Sequence, residues 1–248
     1  MASSPVDLFI LLLAAHVLGD FVLQTNEDVA RKREPLVLAR HSLIHAGLVY
    51  AMSGLWHVIW LPAAIGLTHG VIDWVKSRFG REGIAWFFGD QAAHLVTIAA
   101  AAVGATMLHG DPAWSALGIE TVYPILLVLA GAVLTIRVGG IVVGMTLVPY
   151  LDELIERAGE DALPDARGFG DGGRVIGYLE RTLLYVLVLT GNLTAVGFLV
   201  AAKAFFRIGE IRDQSNRLEA EYIIIGTLAS FAYGVIVAYG IALLLEVR

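Results

Sequence analysis

Residues 6–24 read VDLFILLLAAHVLGDFVLQ. The stretch is long and apolar enough for a membrane-spanning helix, which needs roughly 17 to 25 such residues, yet it carries His16 and Asp20 near its far end. A four-residue step puts two helix side chains on one face, about one turn apart. The same spacing recurs in the next three apolar stretches as His41/His45, His69/Asp73 and Asp90/His94. Each pair can grip a metal ion as a two-toothed clamp, so four clamps in four successive helices make a metal site the leading expectation.

Composition sets the surroundings of those pairs. Of 248 residues, 57% are hydrophobic and 16% charged, against about 25% charged in ordinary soluble domains, and the mean hydropathy is +0.73. This is the composition of a membrane protein. The segment Met1 to Asp7 lacks the basic stretch of a secretory signal, so the first apolar run reads as a retained span. The formal net charge is −6 and no nucleic-acid partner is expected. The chain has no cysteine, which excludes thiolate ligands, disulfides and a cysteine nucleophile. Any metal must be held by nitrogen and oxygen.

Apolar runs predict an all-α polytopic bundle of about eight spans, near 6–24, 36–54, 59–77, 84–108, 117–136, 174–190, 193–208 and 220–245. Turns at Ser53-Gly54, Leu61-Pro62, His109-Gly110-Asp111-Pro112 and Gly191-Asn192 mark several ends. Pro62 reads as an interruption of the third span. From Arg137 to Gly173 the character changes. Gly139, Gly140 and Gly144 precede Asp152, Glu153, Glu156, Glu160 and Asp161, then Pro164 and a glycine-rich run, which reads as an interfacial segment plus linker. The expected organisation is a four-helix module carrying the site (1–110), a fifth span with its linker (111–173), and a three-helix module (174–248).

Lysine and arginine set orientation. They cluster after the first, third, fifth and seventh spans (Arg31, Lys32, Arg33 and Arg40; Lys76, Arg78 and Arg81; Arg137 and Arg157; Lys203, Arg207, Arg212 and Arg217) and nearly vanish from the other connections. Both termini are therefore expected outside the cytoplasm. At a rise of about 1.5 Å per residue, the four pairs then share one layer roughly 6 to 15 Å inside the cytoplasmic leaflet. A charged group at a helix centre costs about 2.5 to 3.5 kcal/mol on insertion scales, so eight ionisable groups at one depth call for a compensating interaction.

The expected ligands are His16, Asp20, His41, His45, His69, Asp73, Asp90 and His94, supported by Gln24 and Gln91. His57 and His109 fall in loops and are left out. Eight donors exceed the four of a tetrahedral zinc and suit two or three divalent ions with bridging carboxylates. Mixed imidazole and carboxylate favours zinc, with iron or manganese as alternatives, over calcium or magnesium. Lys76 is close enough in sequence to pair with Asp73 or with a substrate anion. Arg174, Arg181 and Lys203 are further candidates for binding a phosphate or carboxylate head group, while Arg207 reads as an anchor. Glu180 and Glu221 are candidate partners for Arg181 or Lys203.

The segments His16-Val17-Leu18-Gly19-Asp20-Phe21-Val22-Leu23-Gln24-Thr25, His69-Gly70-Val71-Ile72-Asp73-Trp74-Val75-Lys76-Ser77-Arg78 and Asp90-Gln91-Ala92-Ala93-His94 resemble signatures of the DUF3307 family of bacterial membrane proteins. The runs Gly173–Arg181, Ala201–Lys203 and Ala220–Leu228 resemble its longer members. The resemblance implies a multi-pass protein of the bacterial inner membrane, without a stated chemistry. In addition, His16-x-x-Gly19-Asp20 is similar to the His-x-x-Gly-Asp element of zinc-dependent phospholipase C and the S1/P1 nucleases, whose trinuclear zinc sites use histidines and aspartates. Here the chain starts with Met1 where they have Trp, lacks their additional histidine and distributes its donors differently, so the similarity is one of site type.

The expected function is a membrane-embedded, multinuclear metal hydrolase of a phosphoester or lipid-associated substrate. Its expected partners are the lipid bilayer and a lipid or phosphorylated small molecule. The alternatives are a metal-ion or proton-coupled transporter, with His–Asp pairs as transit sites or a proton relay, a di-iron oxidase or desaturase-like enzyme built on His41/His45, and a metal-stabilised scaffold.

Overall fold

The computed structural model describes residues 5–81, 83–109, 112–116, 121–158, 171–211 and 217–247. Among these the chain is all α, without a strand. The helices are α1 (Pro5–Leu18), α2 (Asn26–Ala30), α3 (Pro35–Ser53), α4 (Trp60–Phe79), α5 (Ile84–His109), α6 (Ala113–Ala116), α7 (Val122–Val133), α8 (Gly139–Ala158), α9 (Gly172–Leu189), α10 (Leu193–Ile211) and α11 (Arg217–Val247). Two π-helical turns, Gly19–Leu23 and Leu134–Val138, extend α1 and join α7 to α8.

Among the described residues, four helical runs are long and apolar enough to cross a membrane: Pro5–Leu23, Ile84–Leu108, Val122–Arg157 and Leu218–Glu246. The helices α3, α4, α9 and α10 coincide with the other four expected spans but fall short of that standard. The first three carry the heaviest polar load, with His41, His45, His69, Asp73, Glu180 and Arg181, and the apolar part of α10 is only Leu193–Phe205. Two local expectations change. Pro62 lies in the first turn of α4, where its missing N–H has no partner to lose, so it starts the helix and does not interrupt it. The fifth span does not stop near 136, because the π turn carries it into α8 through Gly139, Gly140, Gly144 and Pro149 to Ala158. Glu160, Asp161, Pro164, Arg212 and the Gly110-Asp111 turn lie outside the described residues.

The chain forms two compact units, Met1–Ala130 and Gly131–Val247. In the first, α1 packs on α3 and α5, and each of these packs on α4. Small residues set the α3–α4 approach, since a Cβ on Gly66 would lie 2.9 Å from Ala46 Cβ and one on Gly70 would lie 2.4 Å from Ser42 Oγ. Gly66-x-x-x-Gly70 against Ser42-x-x-x-Ala46 is the small-residue packing that lets membrane helices touch backbone to backbone. The facing residues 66 with 46 and 70 with 42 also show that the two helices run antiparallel.

Polarity in this unit is inverted relative to a soluble bundle. On α3 and α4 the buried positions include His41, His45, His69 and Asp73, whereas Leu43 (71% exposed), Leu67 (70%) and Val71 (53%) face outward. Outward apolar and inward ionisable side chains are what a bilayer environment demands.

In the second unit α11 packs on α8 and α9, and α10 packs on α9 and α11. Its centre is Arg181, which donates from Nε to the Ile136 carbonyl and from Nη1 to Ser230 Oγ, both at 3.0 Å. The Ile136 carbonyl lies within the π turn, where the regular helical hydrogen-bond ladder is interrupted. Gly139, Gly140 and Gly177 crowd the same side chain, and a Cβ at each would lie 2.8, 3.2 and 3.1 Å from it. Gly139 and Gly140, which read as the start of an interfacial segment, thus join Gly177 in forming a slot for a buried guanidinium.

Candidate metal centre

Helical periodicity turns all four pairs toward the interior of the first unit, where α1, α3, α4 and α5 each contribute one. His16, His41, His45, His69, Asp73, Asp90 and His94 are buried, and the Asp20 side chain is 6% exposed. All five imidazoles present Nε2 to the three carboxylates. Asp20 Oδ1 lies 3.0 Å from His41, 3.0 Å from His45 and 3.3 Å from His69, and Asp20 Oδ2 lies 3.7 Å from His16. Asp73 Oδ2 lies 3.4 Å from His41 and 3.3 Å from His69. His94 Nε2 lies 3.8 Å from Asp73 Oδ1 and 3.6 Å from Asp90 Oδ1.

Local backbone devices make the convergence possible. Asp20 sits in the π turn Gly19–Leu23, which shifts the register of the helix end, a feature that often accompanies functional sites. A Cβ on Gly19 would lie 2.5 Å from both Cε1 and Nε2 of His45, so only glycine lets that ring lie against the α1 backbone. The rings of His45 and His69 stack at 3.5 Å, and His69 and His94 at 4.1 Å.

Hydrogen bonding alone satisfies this cluster poorly. His41 Nε2 and His69 Nε2 are 3.1 Å apart, so at most one carries the proton between them. If the other Nε2 is bare, its lone pair faces carboxylate oxygens at 3.0 to 3.4 Å. Among the described residues, Asp73 Oδ1, Asp90 Oδ1 and His94 Nε2 are buried without any hydrogen-bond partner. Unpaired buried polar atoms are costly, at about 1 to 3 kcal/mol each. A cation answers both features. Zinc bonds of about 2.0 to 2.1 Å in a tetrahedral shell place neighbouring donors about 3.3 to 3.4 Å apart, in the middle of the separations found here.

Among the described residues, three groups have donor atoms close enough to hold an ion: His16, Asp20, His45 and His69; His41, His69 and Asp73; and Asp73, Asp90 and His94. An imidazole nitrogen has one lone pair and serves one ion, whereas the two oxygens of Asp73 can serve neighbouring ones. Next to them, Gln91 brings Oε1 to 3.2 Å from His16 Nε2 and donates from Nε2 to Asp90 Oδ2 at 3.1 Å. Gln24 has a buried Nε2 without a hydrogen-bond partner. A small cavity of about 10 Å³ abuts the cluster, lined by His16, His45, His69 and His94 and by apolar residues such as Leu12 and Ile65.

The cationic rim differs from expectation. Lys76 does not pair with Asp73: its Nζ donates to Asp90 Oδ2 at 2.6 Å, because Asp73 points inward while Asp90 on α5 faces Lys76. Asp73 is met instead by Lys32, with Nζ 2.8 Å from Oδ2. The sequence counts Lys32 only among the basic residues of its connection, and its 41-residue separation from Asp73 gives no periodic signal. The α2 segment holds it in place. Thr25 and Asp28 close a reciprocal cap on α2, Asp28 pairs with Arg40, and Arg31 bridges Glu27 and Glu34. The Thr25 hydroxyl and backbone N–H are the main groups holding the Asp28 carboxyl below its ordinary range.

The remaining substrate-binding candidates belong to the second unit. Arg174 is exposed and pairs with Asp171 at 3.1 Å, and Arg181 occupies the glycine slot. Lys203 pairs with Glu180 and lies 5.7 Å from the centre of the Phe231 ring.

An inverted-polarity helix bundle that closes around five histidines and three aspartates is thus the class of structure in hand. Residues 8–118 match the family described as "Protein of unknown function (DUF3307)", so this part of the chain is similar to that family. The match contains all eight clustered side chains, both glutamines, Lys32 and Lys76, while the runs Gly173–Arg181, Ala201–Lys203 and Ala220–Leu228 lie beyond it. No curated protein and no solved structure matches the chain, so the likeness to zinc-dependent phospholipase C and the S1/P1 nucleases is not shown.

Proposed function

We propose that the first unit holds two or three divalent transition-metal ions, zinc in our assignment, and acts as a membrane-embedded hydrolase of a phosphoester or other lipid-associated substrate. The observation that carries this reading is the convergence of Asp73 Oδ1, Asp90 Oδ1 and His94 Nε2, buried and without hydrogen-bond partners among the described residues. With one ion per imidazole, His16, Asp20 and His45 would hold one ion, His41, His69 and Asp73 a second, and Asp73, Asp90 and His94 a third. Such ions supply Lewis acidity and a water acidic enough to act as nucleophile near neutral pH.

The surrounding residues have separable tasks. Gln91 donates from Nε2 to Asp90 Oδ2 and holds that carboxylate in one orientation. Lys32 and Lys76, with side chains 14% and 34% exposed, form the wetter rim, where an arriving phosphate oxyanion would draw either ammonium from its carboxylate. Leu12, Val49, Ile65 and Ile98 close the opposite side with apolar surface. We place the unit in a bacterial inner membrane with its rim toward the cytoplasm, on the alternation of lysine and arginine between spans.

One observation favours a second reading, a metal-ion transporter. The cavity beside the four histidines, about 10 Å³, admits a water or an ion and no organic substrate. Purified protein assayed on a panel of phospholipids and phosphoesters, and in proteoliposomes for metal flux, separates the two. Turnover that chelation abolishes and zinc restores, without flux, supports the hydrolase. Flux without turnover refutes it in favour of transport.

A further inference from the structure

A groove of about 640 Å³ runs along the outer face of the α3–α4 pair, within the first unit and on the side away from the histidines. Its floor is the close helix contact at Gly66 and Gly70, where the absence of side chains leaves a trough, and its walls include Leu38, Leu43, Leu67 and Val71. Leu43, Leu67 and Val71 are all more than half exposed. From Ala63 to Trp74 the apolar part covers about 16 Å of helix, close to one leaflet of a hydrocarbon core about 30 Å thick.

The groove ends in positive charge. Arg33 and Arg78 line that end beside Trp74, an aromatic residue of the kind that settles at a membrane interface. Arg33 is tied down by a 2.9 Å hydrogen bond from Nε to the Ser77 carbonyl. Among the described residues no carboxylate forms an ion pair with either guanidinium, whereas Arg31, Arg40, Arg157 and Arg174 all have one. Two guanidiniums without an ion pair among the described residues, above a one-leaflet apolar trough, match one molecule in charge, shape and depth.

We propose that this groove is a binding site for an anionic phospholipid, with its phosphate between Arg33 and Arg78 and one acyl chain along Gly66 and Gly70. The assignment stands apart from the metal reading, because it uses none of the eight buried ligands and neither lysine of the rim. A guanidinium fork suits a phosphodiester through paired hydrogen bonds, and the acyl chain would cover the exposed leucines.

The full-length protein, reconstituted in bilayers mixing phosphatidylglycerol with phosphatidylcholine, tests this by native mass spectrometry of the lipids it retains. Phosphatidylglycerol should be retained about thirty-fold over phosphatidylcholine, from two basic residues at a lipid surface. The double variant Arg33→Gln/Arg78→Gln should lose the preference with unchanged helicity. Ala63→Trp, which fills the trough and keeps both arginines, should lower total lipid retention. Equal retention of the two lipids, or a preference that survives the double variant, overturns the proposal. So does Ala63→Trp with undiminished retention, which would leave a headgroup contact and no acyl groove.

Discussion

Gly19→Ala puts a methyl group where the His45 ring lies. The new Cβ would stand 2.5 Å from two ring atoms, and ordinary contact begins near 3.4 Å, so the imidazole must retreat by about 0.9 Å. Metal–ligand distances tolerate about 0.2 Å. A displacement several times larger would take His45 away from the proposed ion although no proposed ligand has been mutated. Changes beside a ligand typically weaken metal binding 10- to 100-fold, and Gly19→Ala is expected at or beyond the top of that range for one ion. Elemental analysis combined with chelator competition on purified protein reads both quantities. Gly47→Ala on α3, where a Cβ would meet nothing within 4 Å, is the control and should leave metal content unchanged. A folded Gly19→Ala protein that binds metal with wild-type stoichiometry and affinity would refute the reasoning.

Other perturbations separate the remaining contacts. Lys32→Met leaves the Asp73 carboxylate buried without its ammonium, so the chelated protein should lose about 3 kcal/mol while the metal-loaded protein loses much less; melting curves with and without chelator read the difference. Lys203→Met should destabilise the protein more than Lys203→Met/Glu180→Gln, because the single change strands a carboxylate in a partly buried place, and denaturation of the two variants side by side checks the order. Arg181→Met removes two charged hydrogen bonds in the second unit, at about 1.5 to 3 kcal/mol each. It should lower thermal stability without changing metal content, and a loss of metal in the folded variant would contradict the separation drawn between the two units.

The parts of this molecule that obey a short period could be read from its sequence. Four residues make about one helical turn, so His16/Asp20, His41/His45, His69/Asp73 and Asp90/His94 declare their shared faces, and apolar length locates the helices that carry them. Features that depend on one helix meeting another could not be read this way. Gly19 and its π turn matter because His45 arrives from α3, and Lys32 matters because Asp73 arrives from α4. Gly139 and Gly140 show the converse error. By local propensity Gly139 and Gly140 end a helix, but the space they leave is filled by Arg181, and tertiary packing keeps the helix intact.

Metal content of the purified, unmutated protein tests the central claim most directly. Elemental analysis with anomalous scattering at the histidine layer should find two or three equivalents of a transition metal per chain, falling by at least one in Asp73→Asn. A folded protein that remains metal-free after exposure to zinc, iron and manganese, with the eight side chains paired only to one another, would contradict the account.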